Sequence, residues 1–383
     1  MTSVPIAYDI LRLIWWALLG ALLIGFAVMD GFDLGIGMLL PFVGRSDMER
    51  RVVINTVGPV WEGNQVWLVL GGGASFAAWP QLYAVSFSGL YIAMFIVLVA
   101  LIVRPVGFTF RSKIDDPRWR AACDTALFVA GFVPALVFGV ALGNLMLGLP
   151  FRLDDTLRMT WSGGFFDLLT PFPLLCGLTS VAMLTMHGGT FLALKSEGAV
   201  AARATRFAAW AAVVLVLLFT VCGLWVGFGV DGQVLAAGTP HDALSNPLAK
   251  AVSLRPGAWL GNYATHPWFI LAPILGYAGA GAAILALRSR RPGLGFIASA
   301  LAVGGVVATF GVSLFPFLLP SALDPRSGLT IWDASSSQLT LFIMLVSMAI
   351  FLPLVLLYTA FVFHVLRGKV TAAQIEADSH GNY

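Results

Sequence analysis

Charged residues are scarce in this sequence. Asp, Glu, Lys and Arg make up 11% of its 383 residues, whereas 59% are hydrophobic and the mean hydropathy is +0.89. Soluble domains carry about 25% charged residues, so this composition excludes that class and makes lipid the main solvent. The basic residues behind the net charge of +3 lie in short loops between apolar runs. They therefore indicate membrane orientation, and no nucleic-acid partner is predicted.

Histidine and cysteine are also few. None of the five histidines falls in the middle of a predicted helix, and His187 and His364 lie at predicted helix ends. Haem ligation needs axial side chains inside a helix bundle, so the sequence predicts no haem and no metal bound directly by this chain. His187 is expected to be a satisfied helix-end residue. The three cysteines lie in apolar stretches without CxxC spacing and are expected to be small buried residues.

Long apolar runs bounded by charge, Pro or Gly dominate the rest of the chain, and they predict an all-α integral membrane protein forming one transmembrane domain over 1–383. The first run is too long for one simple span, so it should tilt, bend or protrude. Nine transmembrane helices are predicted, at 10–41, 52–76, 81–104, 121–146, 162–187, 205–229, 263–287, 293–319 and 336–364.

The basic residues alternate between the loops of this nine-helix order. All but six of the 22 lysines and arginines fall after helices one, three, five and seven or in the C-terminal tail. The six on the other side are Arg12, Arg152, Arg158, Lys250, Arg255 and Arg326. Because cytoplasmic loops are enriched in Lys and Arg, we expect a periplasmic N-terminus, a cytoplasmic C-terminus and an outer-face loop at 230–262.

Four ionisable residues are expected to gather in the cytoplasmic half of the membrane. Asp30 and Asp33 share one face of the first helix, Arg104 closes the third, and Glu62 lies ten residues into the predicted second helix, about 15 Å deep. Buried carboxylates are costly and are typical of proton relays. We therefore predict a proton pathway through Glu62, Asp33 and Asp30; the alternative is a fixed Asp33–Arg104 ion pair that holds the helices together.

Polar and small residues mark two further surfaces. The segment Trp61-Glu62-Gly63-Asn64-Gln65-Val66-Trp67 is too polar to face lipid, so it should face protein or water. Ala27, Gly31 and Gly35 are spaced four apart, and Gly71-Gly72-Gly73-Ala74 follows in the next helix. Both small-residue patterns predict close helix contacts.

Several longer motifs together resemble one family, the second subunit of the cytochrome bd ubiquinol oxidases. They run in order along essentially the whole chain. The matching segments are Arg12-Leu-Ile-Trp-Trp, Gly25-Phe-Ala-Val-Met-Asp30-Gly-Phe-Asp33-Leu-Gly, Trp61-Glu62-Gly-Asn-Gln-Val-Trp67, Phe76-Ala-Ala-Trp-Pro, Arg104-Pro-Val-Gly-Phe, Arg111-Ser-Lys, Ser245-Asn-Pro-Leu and Ile331-Trp-Asp-Ala-Ser-Ser-Ser-Gln-Leu-Thr.

The resemblance implies a nine-helix subunit made of two four-helix bundles, here 10–146 and 162–319, and a peripheral ninth helix at 336–364. It implies a heterodimer with a larger subunit I, which holds two haems b and one haem d, oxidises ubiquinol and reduces O₂ to water. Small single-helix accessory subunits and a structural quinone are further implied partners. This chain would stabilise the complex in the inner membrane and help to deliver cytoplasmic protons.

Carried over by position, Glu62 is the implied proton-path acid, supported by Asp33 and Arg104. Trp67 is implied to lie near a gas route, and the neighbouring Trp61, Asn64 and Gln65 are candidates to line that O₂ route or a quinone site. The better-known members have Asp in place of Glu62, whereas the cyanide-insensitive branch tends to have Glu there, with His in place of Gln65. This chain mixes the two patterns, so the resemblance does not assign its branch.

Two other functions are compatible with the residues. A proton-coupled secondary transporter would use Asp30, Asp33 and Glu62 to couple substrate to protons, but such carriers often have matching charged helices in two halves. Here the intramembrane charge is concentrated in the first third of the chain. A purely structural membrane subunit, in which every buried charge is paired, is the third function, and unimpaired turnover after Glu62→Ala would support it.

Overall fold

The computed structural model describes residues 4–377. The chain is mostly helical, which confirms the predicted fold class. Its α-helices within those residues are α1 (Tyr8–Val43), α2 (Asp47–Asn55), α3 (Trp61–Ala78), α4 (Pro80–Gly89), α5 (Tyr91–Phe110), α6 (Pro117–Leu147), α7 (Pro171–Lys195), α8 (Gly198–Gly229), α9 (Gly261–Thr265), α10 (Leu271–Arg288), α11 (Pro292–Leu314), α12 (Gln338–Val365) and α13 (Ala372–Ala377).

Eight helices in the described part of the chain are long and apolar enough to cross a membrane: α1, α5, α6, α7, α8, α10 with the turn before it, α11 and α12. The remaining candidate is α3, whose first turns carry Glu62, Asn64 and Gln65. Its 18 residues span about 27 Å. It runs antiparallel to α1, because Asn64 contacts Asp33 whereas Gly71 lies beside Leu23. The count of nine spans stays a prediction.

The predicted helix at 162–187 is shifted and lies at Pro171–Lys195. Two other predicted helices are each broken in two. The stretch 52–76 is divided into α2 and α3 by a turn that contains Gly58 and Pro59. The stretch 81–104 is divided into α4 and α5 at Leu90, and α3 ends at Ala78, two residues before Pro80. Proline has no N–H and disfavours a helical conformation in the residue before it, so both X-Pro positions favour a helix end.

Small antiparallel hairpins cover the end of the molecule where α1 begins. They pair β1 (Phe151–Leu153) with β2 (Met159–Trp161), β3 (Asp231–Leu235) with β4 (Val252–Pro256), and β5 (Phe317–Leu319) with β6 (Leu329–Thr330). The predicted loop at 230–262 thus contains the β3–β4 hairpin, and the predicted helix at 293–319 ends at Leu314. These strands were not predicted from the sequence.

The first helix lies at the centre of the fold and packs against α3, α6, α7 and α11. Glycines allow its close approach to α7. A Cβ atom at Gly35 would collide with the backbone of Leu184 and Gly188, and one at Gly31 would collide with the Leu184 side chain. The close contact predicted for this small-residue pattern is therefore confirmed. Among the three glycines of the second pattern, Gly71 meets a neighbour, whereas nothing described lies within 4 Å of a Cβ at Gly72 or Gly73.

Packing groups the membrane helices around α1. In the first half α1 contacts α3 and α6, and α6 contacts α5; in the second half α7 contacts α8 and α11, and α10 contacts both α8 and α11. The first helix and α6 also pack on α7. The last long helix, α12, is peripheral, and Leu341 is its one buried residue among those described. The division into bundles at 10–146 and 162–319 stays a prediction.

The basic loops gather on one face of the molecule. Arg203 pairs with Glu49 at 2.7 Å, Arg111 pairs with Asp47 at 3.0 Å, and Lys195 donates a hydrogen bond to the carbonyl of Leu366. These contacts join the loops after α1, α5 and α7 with the segment after α12. The sequence assigned the same loops to one side, and which side is the cytoplasm stays a prediction.

Candidate functional site in the membrane interior

A buried cluster joins two carboxylates of α1 to an arginine of α5. Arg104 Nη1 lies 2.7 Å from Asp30 Oδ1, and Nη2 lies 3.3 Å from Asp33 Oδ2. Each of the three residues is at most 2% exposed. Asp30 and Asp33 reach the same guanidinium because residues three apart share a helix face. The sequence predicted a pair with Asp33 alone, whereas the shorter contact is with Asp30.

The beginning of α3 completes this cluster. Asn64 donates a hydrogen bond of 2.8 Å from Nδ2 to Asp33 Oδ2. The Trp61 ring lies 5.5 Å from Arg104 Cζ and stacks on Phe108 at 5.3 Å. Three helices, α1, α3 and α5, are thus joined through one guanidinium, and the aromatic side chains shield it from lipid.

Charge and hydrogen bonding in the cluster are incompletely balanced. Among the described residues, Asp30 Oδ2, Asp33 Oδ1 and Trp61 Nε1 are buried without a hydrogen-bond partner. One guanidinium compensates one of two ionised carboxylates, so full ionisation leaves one negative charge in a low-dielectric interior. Uptake of a single proton by the pair removes that charge, which gives the cluster a chemical reason to hold one.

Glu62 does not join this cluster. It lies in the first turn of α3 and is exposed on the surface of this chain, with no hydrogen bond or ion pair to its side chain within residues 4–377. The expected convergence of four charged residues is therefore wrong for Glu62, as is its place ten residues into a helix. The turn that contains Pro59 restarts the helix at Trp61. Its carboxylate lies instead at a helix N-terminus, where the helix dipole favours negative charge.

Glu62 nevertheless lies deeper in the molecule than the loops of the basic face. Asn64 is level with Asp33, which lies ten residues, about 15 Å, before the end of α1. Glu62 is half a turn from Asn64. It is therefore an outward-facing carboxylate beside the membrane-spanning part of the fold.

The segment 61–67 has two different faces. Trp61, Asn64 and Trp67 are buried, and the Trp67 ring fills the space that a side chain at Gly25 would need. Glu62 points outward and Gln65 is half-buried. Of the residues predicted to line an O₂ or quinone route, three pack inside this chain and Gln65 borders its surface.

His187 occupies a different position from the predicted helix end. It lies within α7, which continues to Lys195, and it is completely buried. Its Nε2 is 2.9 Å from the carbonyl oxygen of Val28, its Nδ1 is 2.8 Å from Ser299 Oγ, and its ring stacks on Phe296. Both ring nitrogens are engaged, so this arrangement offers no axial ligand. The prediction of a satisfied histidine holds, although its position was wrong.

An outer hydrogen-bond network was missed by the sequence reasoning. Arg12 is fully buried; its guanidinium donates to Ser335 Oγ at 2.7 Å and to the carbonyl oxygens of His241 and Ala243 at 2.6 and 3.0 Å. Its Cζ lies 3.6 Å from the Tyr8 ring centre. The Arg12 motif thus ties the segments around Ser245 and Ser335 to α1. The signal in the sequence was an arginine about one turn into an otherwise apolar helix, which needs polar partners.

A buried ion pair lies near this network, outside the spans. Lys250 Nζ is 2.9 Å from Asp333 Oδ2. Burial raises the pKa of the Asp333 carboxyl although Lys250 opposes the shift, and burial lowers the pKa of the Lys250 ammonium although Asp333 opposes it. The close contact favours the charged forms of both groups, whereas both pKa shifts favour their neutral forms. We therefore expect the ion pair to do little more than offset the cost of desolvating its two charges.

The cysteines are all free, and Cys176 and Cys222 lie side by side with their sulfur atoms 3.9 Å apart. Their spacing in the sequence did not predict this contact, because it arises from the packing of α7 against α8. No group of three or more His, Cys, Asp or Glu side chains able to hold a metal occurs within residues 4–377.

The fold and this site define a class: an integral membrane protein of many apolar helices, with a buried cluster of charged residues between α1 and α5 and one carboxylate facing outward beside it. A family model described as cytochrome bd terminal oxidase subunit II matches residues 11–366. The chain belongs to this family.

Individual relatives agree with the family. The chain is 46% identical over 378 residues to cytochrome bd-I ubiquinol oxidase subunit 2 of Escherichia coli strain K12, covering 99% of this chain and 100% of the relative. It is 30% identical to cytochrome bd ubiquinol oxidase subunit 2 of Bacillus subtilis, covering 94% and 96%. The solved bd oxidase of Geobacillus thermodenitrificans has the same fold, with a TM-score of 0.70 at 17% identity over 93% of this chain and 98% of that one.

The chain is therefore subunit II of a cytochrome bd-type quinol oxidase, a quinol:O₂ oxidoreductase complex of the respiratory chain. It is an inner-membrane protein that assembles with a subunit I. The proton-coupled transporter is not favoured by these comparisons.

Proposed function

We propose that this chain supports the haem-bearing subunit I in two ways: it presents Glu62 as an acid that passes cytoplasmic protons to that subunit, and it stabilises the complex through the Asp30–Asp33–Arg104 cluster. The two haems b and the haem d belong to subunit I. Within residues 4–377, His187 is the histidine buried in a span, and both of its ring nitrogens are engaged, which supports this assignment. The basic face is the cytoplasmic one, and ubiquinol is the substrate of the complex.

The outward position of Glu62 carries this proposal. A carboxylate beside a membrane-spanning helix is costly unless it meets water or protein. Glu62 finds no partner among the described residues of its own chain, and Gly72 and Gly73 leave open surface further along α3. A second subunit laid against this surface would give the carboxylate both a hydrated boundary and a recipient for its proton.

The remaining proposals follow from the same surface. Trp61, Asn64 and Trp67 fill the contact between α3 and α1, so a route for O₂ or a site for a structural quinone would run along the outer side of α3, past Gln65. Single-helix accessory subunits would find an apolar surface on α12, which is almost wholly exposed.

The experiment is to replace Glu62 in the purified complex. Glu62→Gln should lower quinol-dependent O₂ uptake by about 100-fold, the lower end of the range for a positioned acid, while the haem spectrum stays unchanged. Glu62→Asp should retain most turnover, because it keeps a carboxylate. The matched control is Glu197→Gln, an exposed carboxylate at the start of α8 on the same face. Normal turnover and normal proton uptake in Glu62→Gln would instead favour a purely structural subunit.

A further inference from the structure

A small pocket opens on the basic face between the end of α7, the turn before α3 and the end of α12. Its volume is about 110 Å³. Its inner wall is apolar, formed by Val60, Phe191 and Phe363, and its rim carries Lys195, Arg367 and Lys369. The two basic segments are separated by more than 160 residues of chain, so the fold and not local sequence brings the three cations together.

Hydrogen bonds hold the backbone of the rim in place. Lys195 Nζ donates to the carbonyl oxygens of Leu366 and Gly368 at 2.5 and 3.1 Å, and the amide of Val370 donates to the carbonyl of Lys195 at 2.8 Å. These three bonds fix the segment after α12 against the end of α7. An ammonium has three donors, so Lys195 keeps one N–H for another acceptor.

The positive charge of the rim is not neutralised by the residues around it. No acidic side chain of residues 4–377 lines the pocket. Arg367 Nη1 lies 3.3 Å from His364 Nε2, which is a contact with a ring nitrogen and not with a carboxylate. Other arginines of the same face are paired, such as Arg50 and Arg111 with Asp124. The pocket is therefore a concentrated cationic site above an apolar wall.

We propose that this pocket binds the phosphate of an anionic phospholipid from the leaflet on the basic face. A phosphate fits the mixture of one free ammonium donor, one guanidinium and a second ammonium. The apolar wall and the apolar side chain at the end of α12 favour a lipid over free phosphate, since Leu366, which lines the pocket, is 37% exposed. Acyl chains can lie along them while the headgroup stays at the rim.

The test uses the complex purified from its native membrane and delipidated by detergent exchange. Phosphatidylglycerol or phosphatidylcholine is added at equal concentration, and native mass spectrometry counts the lipids retained. The variant Arg367→Gln/Lys369→Gln should retain one phosphatidylglycerol fewer. Its affinity for that lipid should fall by about 30-fold, at about fivefold per basic residue removed near the surface. Lys195 is left intact because it also holds the chain segment.

The matched control is Lys113→Gln/Arg118→Gln, which removes one lysine and one arginine from exposed positions on the same face. It should retain as many phosphatidylglycerol molecules as the unaltered complex. Equal retention in both double variants, or equal retention of phosphatidylcholine, would overturn the proposal.

A second measurement needs no variant. Phosphatidylglycerol should slow the reaction of Lys369 with an amine-reactive label, read by peptide mapping, and phosphatidylcholine should not. Inorganic phosphate that protects Lys369 as well as the lipid does, at matched ionic strength, would make this a free-phosphate site and refute the lipid assignment. None of these readouts depends on oxidase turnover, so failure here is distinct from failure of the proposed role of Glu62.

Discussion

Removal of the Arg104 charge should destabilise this chain more than removal of either carboxylate. Arg104→Gln leaves Asp30 and Asp33 facing one another, buried, without their cation. Breaking a buried ion pair from one side costs about 3 to 5 kcal/mol, because the other charge stays desolvated. Spread over a chain of this length, that loss lowers an apparent melting temperature by about 5 °C.

The carboxylate variants test the charge balance itself. Asp33→Asn removes the surplus negative charge and keeps the 2.7 Å contact between Arg104 and Asp30. It should therefore be close to neutral, within about 1 kcal/mol. Asp30→Asn should fall between the two, since it loses the shorter contact but leaves Arg104 paired with Asp33 at 3.3 Å.

The assay is thermal dissociation of the detergent-solubilised complex, followed by size-exclusion chromatography at the same protein and detergent concentrations for each variant. Haem content and turnover are measured in parallel, so that loss of stability is separated from loss of proton transfer. If Asp33→Asn is as destabilising as Arg104→Gln, the argument from a single surplus charge is refuted.

Two further perturbations test the packing and the outer network. Gly35→Val should be destabilising by about 1 to 3 kcal/mol through collision with Leu184, whereas Gly20→Val, which meets nothing described within 4 Å, should be nearly neutral; thermal dissociation compares them. The folded chain holds the Asp333 proton more tightly than the unfolded chain, because burial raises the pKa of this carboxyl. Its contribution to stability is therefore present at low pH and should be lost as the pH rises from 3.8 through the folded pKa. Melting temperatures measured from acid to neutral pH should show this loss, and Asp333→Asn should abolish it; an unchanged slope would contradict the assignment.

Hydropathy was sufficient to predict a membrane protein of many helices, because each span must satisfy its backbone internally, and loop charge was sufficient to group the basic loops on one face. The two places where this failed share one cause. The turn that contains Pro59 and the break at Leu90 interrupt runs that remain apolar, so hydropathy continues across a helix break. Gly58-Pro59 and Gly89 were readable signals, and they were outweighed by the apolar character around them.

The candidate site shows a different limit. Spacing alone placed Asp30 and Asp33 on one face. Arg104 was expected at the end of its helix, which is wrong because α5 continues to Phe110; it reaches the two carboxylates from within the helix. Glu62 was expected to join them because its position along the helix axis was derived from the sequence, whereas the direction of its side chain around that axis was not. Rotation is set by which residues pack, and the aromatic rings at Trp61 and Trp67 take the inward positions.

His187 and Arg12 illustrate interactions that the sequence could not specify. Their partners include the carbonyl oxygens of Val28 and His241, and a backbone carbonyl carries no residue-specific signal. Gly188 and Gly189 after His187 indicated a helix end, whereas they pack against Gly35 and Ala208 and let α7 continue. In a membrane, small residues permit close helix contact as readily as they end a helix.

The beginning of α3 explains how one short segment can serve both stability and proton delivery. Positions 61, 64 and 67 recur every three residues, so they lie along one side of the helix and fix it to α1 through Asn64 and Trp67. Position 62 is rotated by about 100° from position 61 and points away from that contact. Asn64 holds Asp33, which shares Arg104 with Asp30, so the charge of the buried cluster and the orientation of Glu62 depend on the same helix. A variant that loosens Asn64, such as Asn64→Leu, should therefore alter both stability and turnover, whereas Glu62→Gln should alter turnover alone.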